Sequence, residues 1–306
     1  MRVDRAELER RVEATERAYA HCTLCARRCG VDRRVRRGGV CDLGPDAFLY
    51  KEYVHYGEEE VLTPSHTIFL TGCNFRCVFC TDDAQVRDTT LGVRVDPPAL
   101  AATIARRRSE GARNVNFVGG LPDVNLLAIL RTLSLCPADT RVVWNTNLYD
   151  TDETLDLLDG VVDVWLADLK FGNDACAREL SGARAYGDTL HAMLSRAAGS
   201  GEVLARHLVM PGHLECCTRP ALEWLARHLP DATVNLMTAY WPYAEARRIP
   251  GLDRRTSRDE ARRAIDLLRA TGVARPLVNG RALAAVDSSG ATVNAGAQTH
   301  HRRHPP

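Results

Sequence analysis

The sequence predicts an α/β protein, a (β/α) barrel or partial barrel preceded by a small cysteine-rich module. Three observations lead there. From residue 66 to about 240, short runs rich in β-branched residues alternate with amphipathic helical patterns, the rhythm of strands paired in parallel through right-handed crossovers. Several of the runs are apolar throughout, as strands covered on both faces should be. Seven of the eleven cysteines fall in the first 80 residues. The length of 306 residues allows one large domain or two small ones, with Lys+Arg 40 against Asp+Glu 39 and a net charge of +1. A dedicated nucleic-acid binder would be clearly basic. No stretch approaches the ~20 apolar residues of a membrane span, and the polar start is a helix rather than a signal peptide. The expected setting is therefore cytoplasmic, where clustered cysteines point to metal rather than to disulfides.

Taken in order, residues 4–20 read as an amphipathic helix opened by Asp4 and Glu7 in capping-box spacing. Residues 21–45 hold four cysteines among Arg and Gly, with almost no apolar periodicity. Such a segment needs a ligand to fold. The strand candidates are 66–72, 115–120, 141–147, 161–171, 202–212 and 233–240, six in all. The helices between and after them are 97–111, 122–133, 151–160, 188–199, 219–230 and 257–271. In the last, Ser257 and Glu260 form a capping box and Gly272 a stop. After 275 the pattern decays into a small hairpin about Asp287–Gly290 and a loose tail. These readings divide the chain into an N-terminal module (1–60), a barrel (61–280) and a C-terminal hairpin with tail (281–306).

The informative motif is Cys73-x3-Cys77-x2-Cys80, at the C-terminal end of the first barrel strand. In parallel α/β architectures chemistry gathers at that end. Three thiolates within eight residues can wrap one face of a cubane cluster, and Gly72 and Asn74 allow the tight backbone. An electron-transfer cluster takes four cysteines, so three leave one iron open to a small molecule. A structural zinc would want a fourth ligand, for which Asp82, Asp83 and His66 are at hand.

With Phe79 before its last cysteine, this motif resembles the radical S-adenosylmethionine (SAM) signature. More narrowly, the chain is similar over about residues 20–280 to proteins related to pyruvate formate-lyase activating enzyme. The similarity takes in Cys22-x2-Cys25-x3-Cys29, Val-Gly-Gly at 118–120, Trp-Asn-Thr-Asn at 144–147, Ala-Asp-Leu-Lys at 167–170, Arg-His-Leu-Val-Met-Pro-Gly at 206–212 and Val-Asn-Leu-Met at 234–237. The resemblance implies an open six-stranded barrel with a [4Fe–4S] cluster on Cys73, Cys77 and Cys80. It implies reductive cleavage of SAM to methionine and a 5′-deoxyadenosyl radical, with an electron from a donor such as flavodoxin or ferredoxin. The radical would abstract hydrogen from a glycyl-radical partner protein, a peptide or a small molecule.

The same resemblance implies roles for further residues. Phe79 would lie against adenine. The carbonyls of Gly119 and Gly120 would accept from the SAM amino group, although Leu121 stands where the family often has an acid. Asn145 and Asn147 would lie near the ribose. Asp168 and Lys170 close the fourth strand, and Lys170 is one of two lysines in an arginine-rich chain, where a compact ammonium suits a tight site. Arg206 would pair with the methionyl carboxylate.

Cys22, Cys25, Cys29 and Cys41 form a four-ligand set for zinc or a second Fe–S cluster. The arginines around it (27, 28, 33, 34, 36, 37) can favour thiolates, dock an acidic donor or form a solvated face. Cys136, Cys176, Cys216 and Cys217 read as packing residues, and His207 and His213 as satisfied loop histidines. Two rival functions remain at this stage: a non-catalytic Fe–S electron carrier, and a zinc-stabilised barrel that binds a partner. Polar residues at successive strand ends favour the enzyme.

Overall fold

The computed structural model describes residues 1–57, 59–283, 285–286 and 292–293. The chain begins with α1 (Arg5–Ala18), whose N-cap Asp4 accepts from the Glu7 backbone N–H. The cysteine-rich segment follows, and then the strands β1 (Phe48–His55) and β2 (Ser65–Leu70). A short helix α2 (Asp83–Arg87) and a two-residue strand β3 (Val93–Arg94) come before α3 (Pro97–Ser109). Regular alternation then sets in: β4 (Val115–Gly119), α4 (Leu126–Leu133), β5 (Val142–Thr146), α5 (Asp152–Leu158), β6 (Val164–Asp168). After β6 come two helices, α6 (Asp174–Ser181) and α7 (Tyr186–Ser200), and then β7 (Glu202–Leu208), α8 (Arg219–His228), β8 (Thr233–Met237), α9 (Arg258–Thr271) and β9 (Arg275–Val278). A short β10 (Arg281–Ala282) closes the sheet.

The ten strands form one sheet in the order β10-β9-β8-β7-β6-β5-β4-β2-β1-β3. From β2 to β9 every pairing is parallel, while β1, β3 and β10 join antiparallel at the edges. The two edges do not pair with each other, so this is an open, partial (β/α) barrel. All six expected strands are present. The sheet also gains β9, in the region read as decaying, and β1, ahead of the first expected strand. The expected hairpin has its strands, Ala285–Val286 against Thr292–Val293, while its turn at 287–290 and the tail 294–306 lie outside the described residues.

Alternation along each strand separates two cores. Val142, Trp144, Trp165, Ala167, Val203 and Ala205 face the helices and join the large core with Leu126, Leu130, Leu158, Leu194, Leu222 and Leu268. Val143, Val164, Leu166 and Leu204 face inward, where Leu62 from the β1–β2 connection plugs the start of the barrel. Two residues further along the same inward rows stand Asn145, Asp168 and Arg206. On β5, β6 and β7 the barrel interior is thus apolar at the strand starts and polar at their ends.

The N-terminal module lies across those ends. Arg33 is buried under the cysteine segment, stacked 4.0 Å from the Tyr19 ring centroid and donating to the carbonyls of Gly44 and Val124. Thr151 and Thr154 both donate to the Leu24 carbonyl, and Cys25 bridges to Asp150.

Candidate active site

A cavity of about 240 Å³ opens at the C-terminal ends of the parallel strands. Cys73, Cys77 and Cys80 line it, together with Phe79, Gly119, Gly120, Asn145, Asn147, Asp168, Lys170 and Arg206. Residues spread over 134 positions in sequence are therefore neighbours, because each ends or follows a parallel strand.

The cysteine loop is held from three sides. The Arg76 and Val78 N–H groups donate to the carbonyls of Ser181 and Leu180, at the end of α6. Asn74 donates to the Tyr149 carbonyl at 3.2 Å and accepts from the Asn147 amide at 2.9 Å. The Arg76 guanidinium bonds the Cys73 carbonyl at 3.0 Å and also the Val40 carbonyl of the N-terminal module. Beneath the loop, a Cβ on Gly120 would lie 1.9 Å from the Gly72 oxygen. Only glycine lets these two strand ends meet, which leaves a side-chain-free backbone wall.

Burial raises all three thiols, to about 12 for Cys77, where the Lys170 ammonium pulls the other way. Metal binding at these sulfurs must therefore expel protons. Burial also opposes the Lys170 charge. Asp168, 2.6 Å away, outweighs it and keeps the lysine above its ordinary range. Three thiols on one wall, a half-buried cation beside them and an open backbone edge fit a cluster with a small polar ligand.

Two expected ligand contacts are already engaged within the protein. The Asn147 amide holds Asn74, so it positions the cysteine loop. Arg206 grips Glu59 bidentately at 2.6 and 2.7 Å, and Asn235 also donates to Glu59. Glu59, 1% exposed, comes from the β1–β2 connection, and nothing in its local sequence signals this role. Leu121, in place of the family's acid, packs with Leu43 and Val124 against both Cys41 and Cys73. His66 sits at the start of β2, away from the cysteines, and bonds Glu52 at 2.9 Å. That removes it as a fourth metal ligand. Asp82 lines the cavity.

Cys22, Cys25, Cys29 and Cys41 line a second, small cavity of about 20 Å³. An antiparallel bridge between Cys22 and Val31 folds the segment back on itself. Burial, then Asp150, raises the Cys25 thiol, and burial raises that of Cys41 against the pull of Arg33. Beside this cavity lies a buried acid pair that the sequence reading missed. Asp123 accepts from Trp144 at 2.6 Å and Thr146 at 2.7 Å. Burial and Asp123 push Asp150 far above the usual carboxylate range, so it is the protonated member. Several arginines of the segment have internal work: Arg27 bonds the Asn74 carbonyl, and Arg34 and Arg37 pair with Asp32 and Asp42. Cys136, just past the end of α4, bonds back to the Thr132 carbonyl of that helix.

An open α/β barrel with three cysteines at the mouth of its first parallel strand defines the class. A family model described as the Radical SAM superfamily matches residues 67–225, just over half of the chain. The chain belongs to the Radical SAM superfamily, enzymes that use a [4Fe–4S] cluster and SAM. The uncharacterized protein MJ0674 of Methanocaldococcus jannaschii is 41% identical over 268 residues, which cover 85% of this chain and 78% of that protein. Among solved structures, Streptococcus suis SuiB bound to its precursor peptide SuiA is similar at a TM-score of 0.45 and 14% identity, covering 67% of this chain and 46% of that one. SuiB bound to S-adenosylmethionine matches at a TM-score of 0.47 and 14% identity, over 67% of this chain and 48% of that one. This chain spans about half the length of those structures. No helix among the described residues is long and apolar enough to cross a membrane.

Proposed function

We propose that Cys73, Cys77 and Cys80 hold the [4Fe–4S] cluster and that the cavity beside them receives SAM for cleavage to a 5′-deoxyadenosyl radical. The observation that carries this is the convergence of the three thiols and the strand-end residues on one cavity. The cluster, when bound, supplies one electron and an open iron at which the amino and carboxylate groups of SAM bind. The chain does the rest. Phe79, packed edge-on to Phe171 and Tyr240, offers a fixed apolar face to adenine. The wall at Gly119 and Gly120 presents backbone to the amino group, with no side chain in the way. Asn145, 8% exposed, offers a polar edge to the ribose. Lys170 brings a cation beside the thiolates, and Arg206, braced by Glu59, brings one to the opposite wall, for the carboxylate. The enclosing strands keep water from the radical.

The hydrogen donor in this reading is a glycyl-radical partner protein, as the sequence resemblance to proteins related to pyruvate formate-lyase activating enzyme suggests. Cys22, Cys25, Cys29 and Cys41 would hold a second Fe–S centre, which would supply a path for an electron from a flavodoxin or ferredoxin. Support for that relay lies in Cys41 and Cys73 packing against the same three side chains, Leu43, Leu121 and Val124.

Anaerobically reduced protein should convert SAM to 5′-deoxyadenosine. A Cys77→Ala variant should lose that activity by at least ~100-fold and bind less iron. Undiminished turnover by the variant would refute the ligand assignment.

A further inference from the structure

We propose a third metal site, separate from both cysteine groups above: a single zinc ion held by Cys176, His213 and Cys216. Cys176 lies 37 positions before His213 and 40 before Cys216, so no local motif joins the three, and the sequence alone leaves them as packing and loop residues. The fold brings them together. β6 and β7 pair in parallel, so the chain leaving β6 towards α6 and the chain leaving β7 towards α8 emerge side by side. Cys176 lies in the first turn of α6. Cys216 lies on a wide turn, Leu214–Thr218, ahead of α8, and His213 is the residue just before that turn.

The two segments are locked in place without any ion. A Cβ on Gly172 would lie 2.7 Å from the Cys216 oxygen and 2.6 Å from the Cys217 oxygen, so only glycine permits the approach. Asn173 is the clamp. Its Oδ1 caps α6 by accepting from the Cys176 N–H at 2.8 Å, and its Nδ2 donates to the Cys216 carbonyl at 2.7 Å.

The ligand atoms match one tetrahedral ion. One atom each from Cys176, His213 and Cys216 lie within 4.8 Å of one another. The Cys176 and Cys216 sulfurs are 3.9 Å apart. With zinc–sulfur bonds of about 2.3 Å, two thiolates on a tetrahedral ion stand ~3.8 Å apart. A disulfide would need about 2.05 Å. His213 has its tautomer set as metal-ligating histidines do: Nδ1 donates to the Pro211 carbonyl at 2.8 Å, which leaves the lone pair on Nε2. Two thiolates and an imidazole are the donor set zinc prefers among divalent ions of the cell. Cys216 is exposed, so the ion has an entry path and solvent fills the fourth position. Bound there, zinc ties the chain that follows Asp168 and Lys170 to the chain that follows Arg206, and so fixes one wall of the SAM cavity.

The test uses the cluster-loaded chain and zinc alone. In chelator-treated protein iodoacetamide should label Cys216 readily, and zinc should slow that labelling at least tenfold, read on the Cys216 peptide so that the other cysteines do not interfere. After zinc loading and dialysis, His213→Ala and Cys176→Ser/Cys216→Ser should each hold one zinc per chain fewer than the wild type, with iron unchanged. Labelling of wild-type Cys216 at the same rate with and without zinc would overturn the proposal, even if the variants failed to fold. Equal zinc contents in folded variants and wild type would do the same.

Discussion

Lys170 and His207 show how single residues set the chemistry at the strand ends. Lys170 keeps its charge beside three thiols, one buried and two half-buried, because Asp168 stands 2.6 Å away. A Lys170→Met change leaves the thiols in place and removes the cation. The expected result is a Kd for SAM weaker by about 10- to 100-fold with iron content retained, since one charge-assisted contact is worth ~1.5–3 kcal/mol. Equilibrium binding with anaerobic protein measures this. His207 is buried and neutral, with Nδ1 donating to the Leu169 carbonyl and Nε2 accepting from the Thr218 hydroxyl. Burial lowers its pKa to about 4. The unfolded chain therefore takes up the proton first. The stability this histidine contributes is complete above about pH 6.5 and falls away towards pH 4, by ~3 kcal/mol in total. Urea midpoints of His207→Gln should lose that part of the acid slope; profiles parallel to wild type would contradict the assignment. The sequence carried the Cys73–Cys80 triplet because its spacing is itself the geometry. It could not show that Asn147 is spent on Asn74, or that Glu59 meets Arg206, since both partners are set by tertiary packing.

At the scale of elements, the β1–β2 connection shows what periodicity misses. Its Leu62 closes the start of the barrel, and its Glu59 runs inside to β7 and β8. Replacing Arg206 by Met strands a buried carboxylate and should cost ~3–5 kcal/mol in urea unfolding. Adding Glu59→Gln should recover part of the loss, because the uncompensated charge is then gone. If the double variant were less stable than the single one, the buried pair would not be the reason. The six central strands were legible because each is a short run rich in β-branched residues that alternates with helical patterns. β1 was not, because none of its eight positions is fully buried and it joins antiparallel with no crossover helix. β9 is four residues with an exposed Arg275 and a proline, too short and polar-flanked to register. α6 was hidden because its eight residues hold only Ala177, Leu180 and Ser181 buried. It nevertheless ends at the carbonyls that anchor the cysteine loop.

For the molecule as a whole, the arrangement is a parallel sheet whose polar strand ends are capped by the cysteine-rich N-terminal segment. The open barrel supplies the cavity. The N-terminal segment adds a second cysteine group that shares apolar neighbours with the first, and is fastened across the site by Arg27, Arg33 and Arg76. Alternation of strands and helices made the barrel readable from the sequence. The docking of the N-terminal segment was not readable, because it rests on backbone carbonyls that any residue carries. The substrate is likewise not written in periodicity, since barrel rims vary freely on one scaffold. The central claim is that Cys73, Cys77 and Cys80 leave one iron of their cluster for SAM. Electron paramagnetic resonance of the anaerobically reduced protein, recorded before and after adding SAM, tests it most directly. A SAM-dependent shift in the cluster signal is expected in the wild type and not in Cys77→Ala. A fully loaded wild-type cluster whose spectrum SAM leaves unchanged would contradict it.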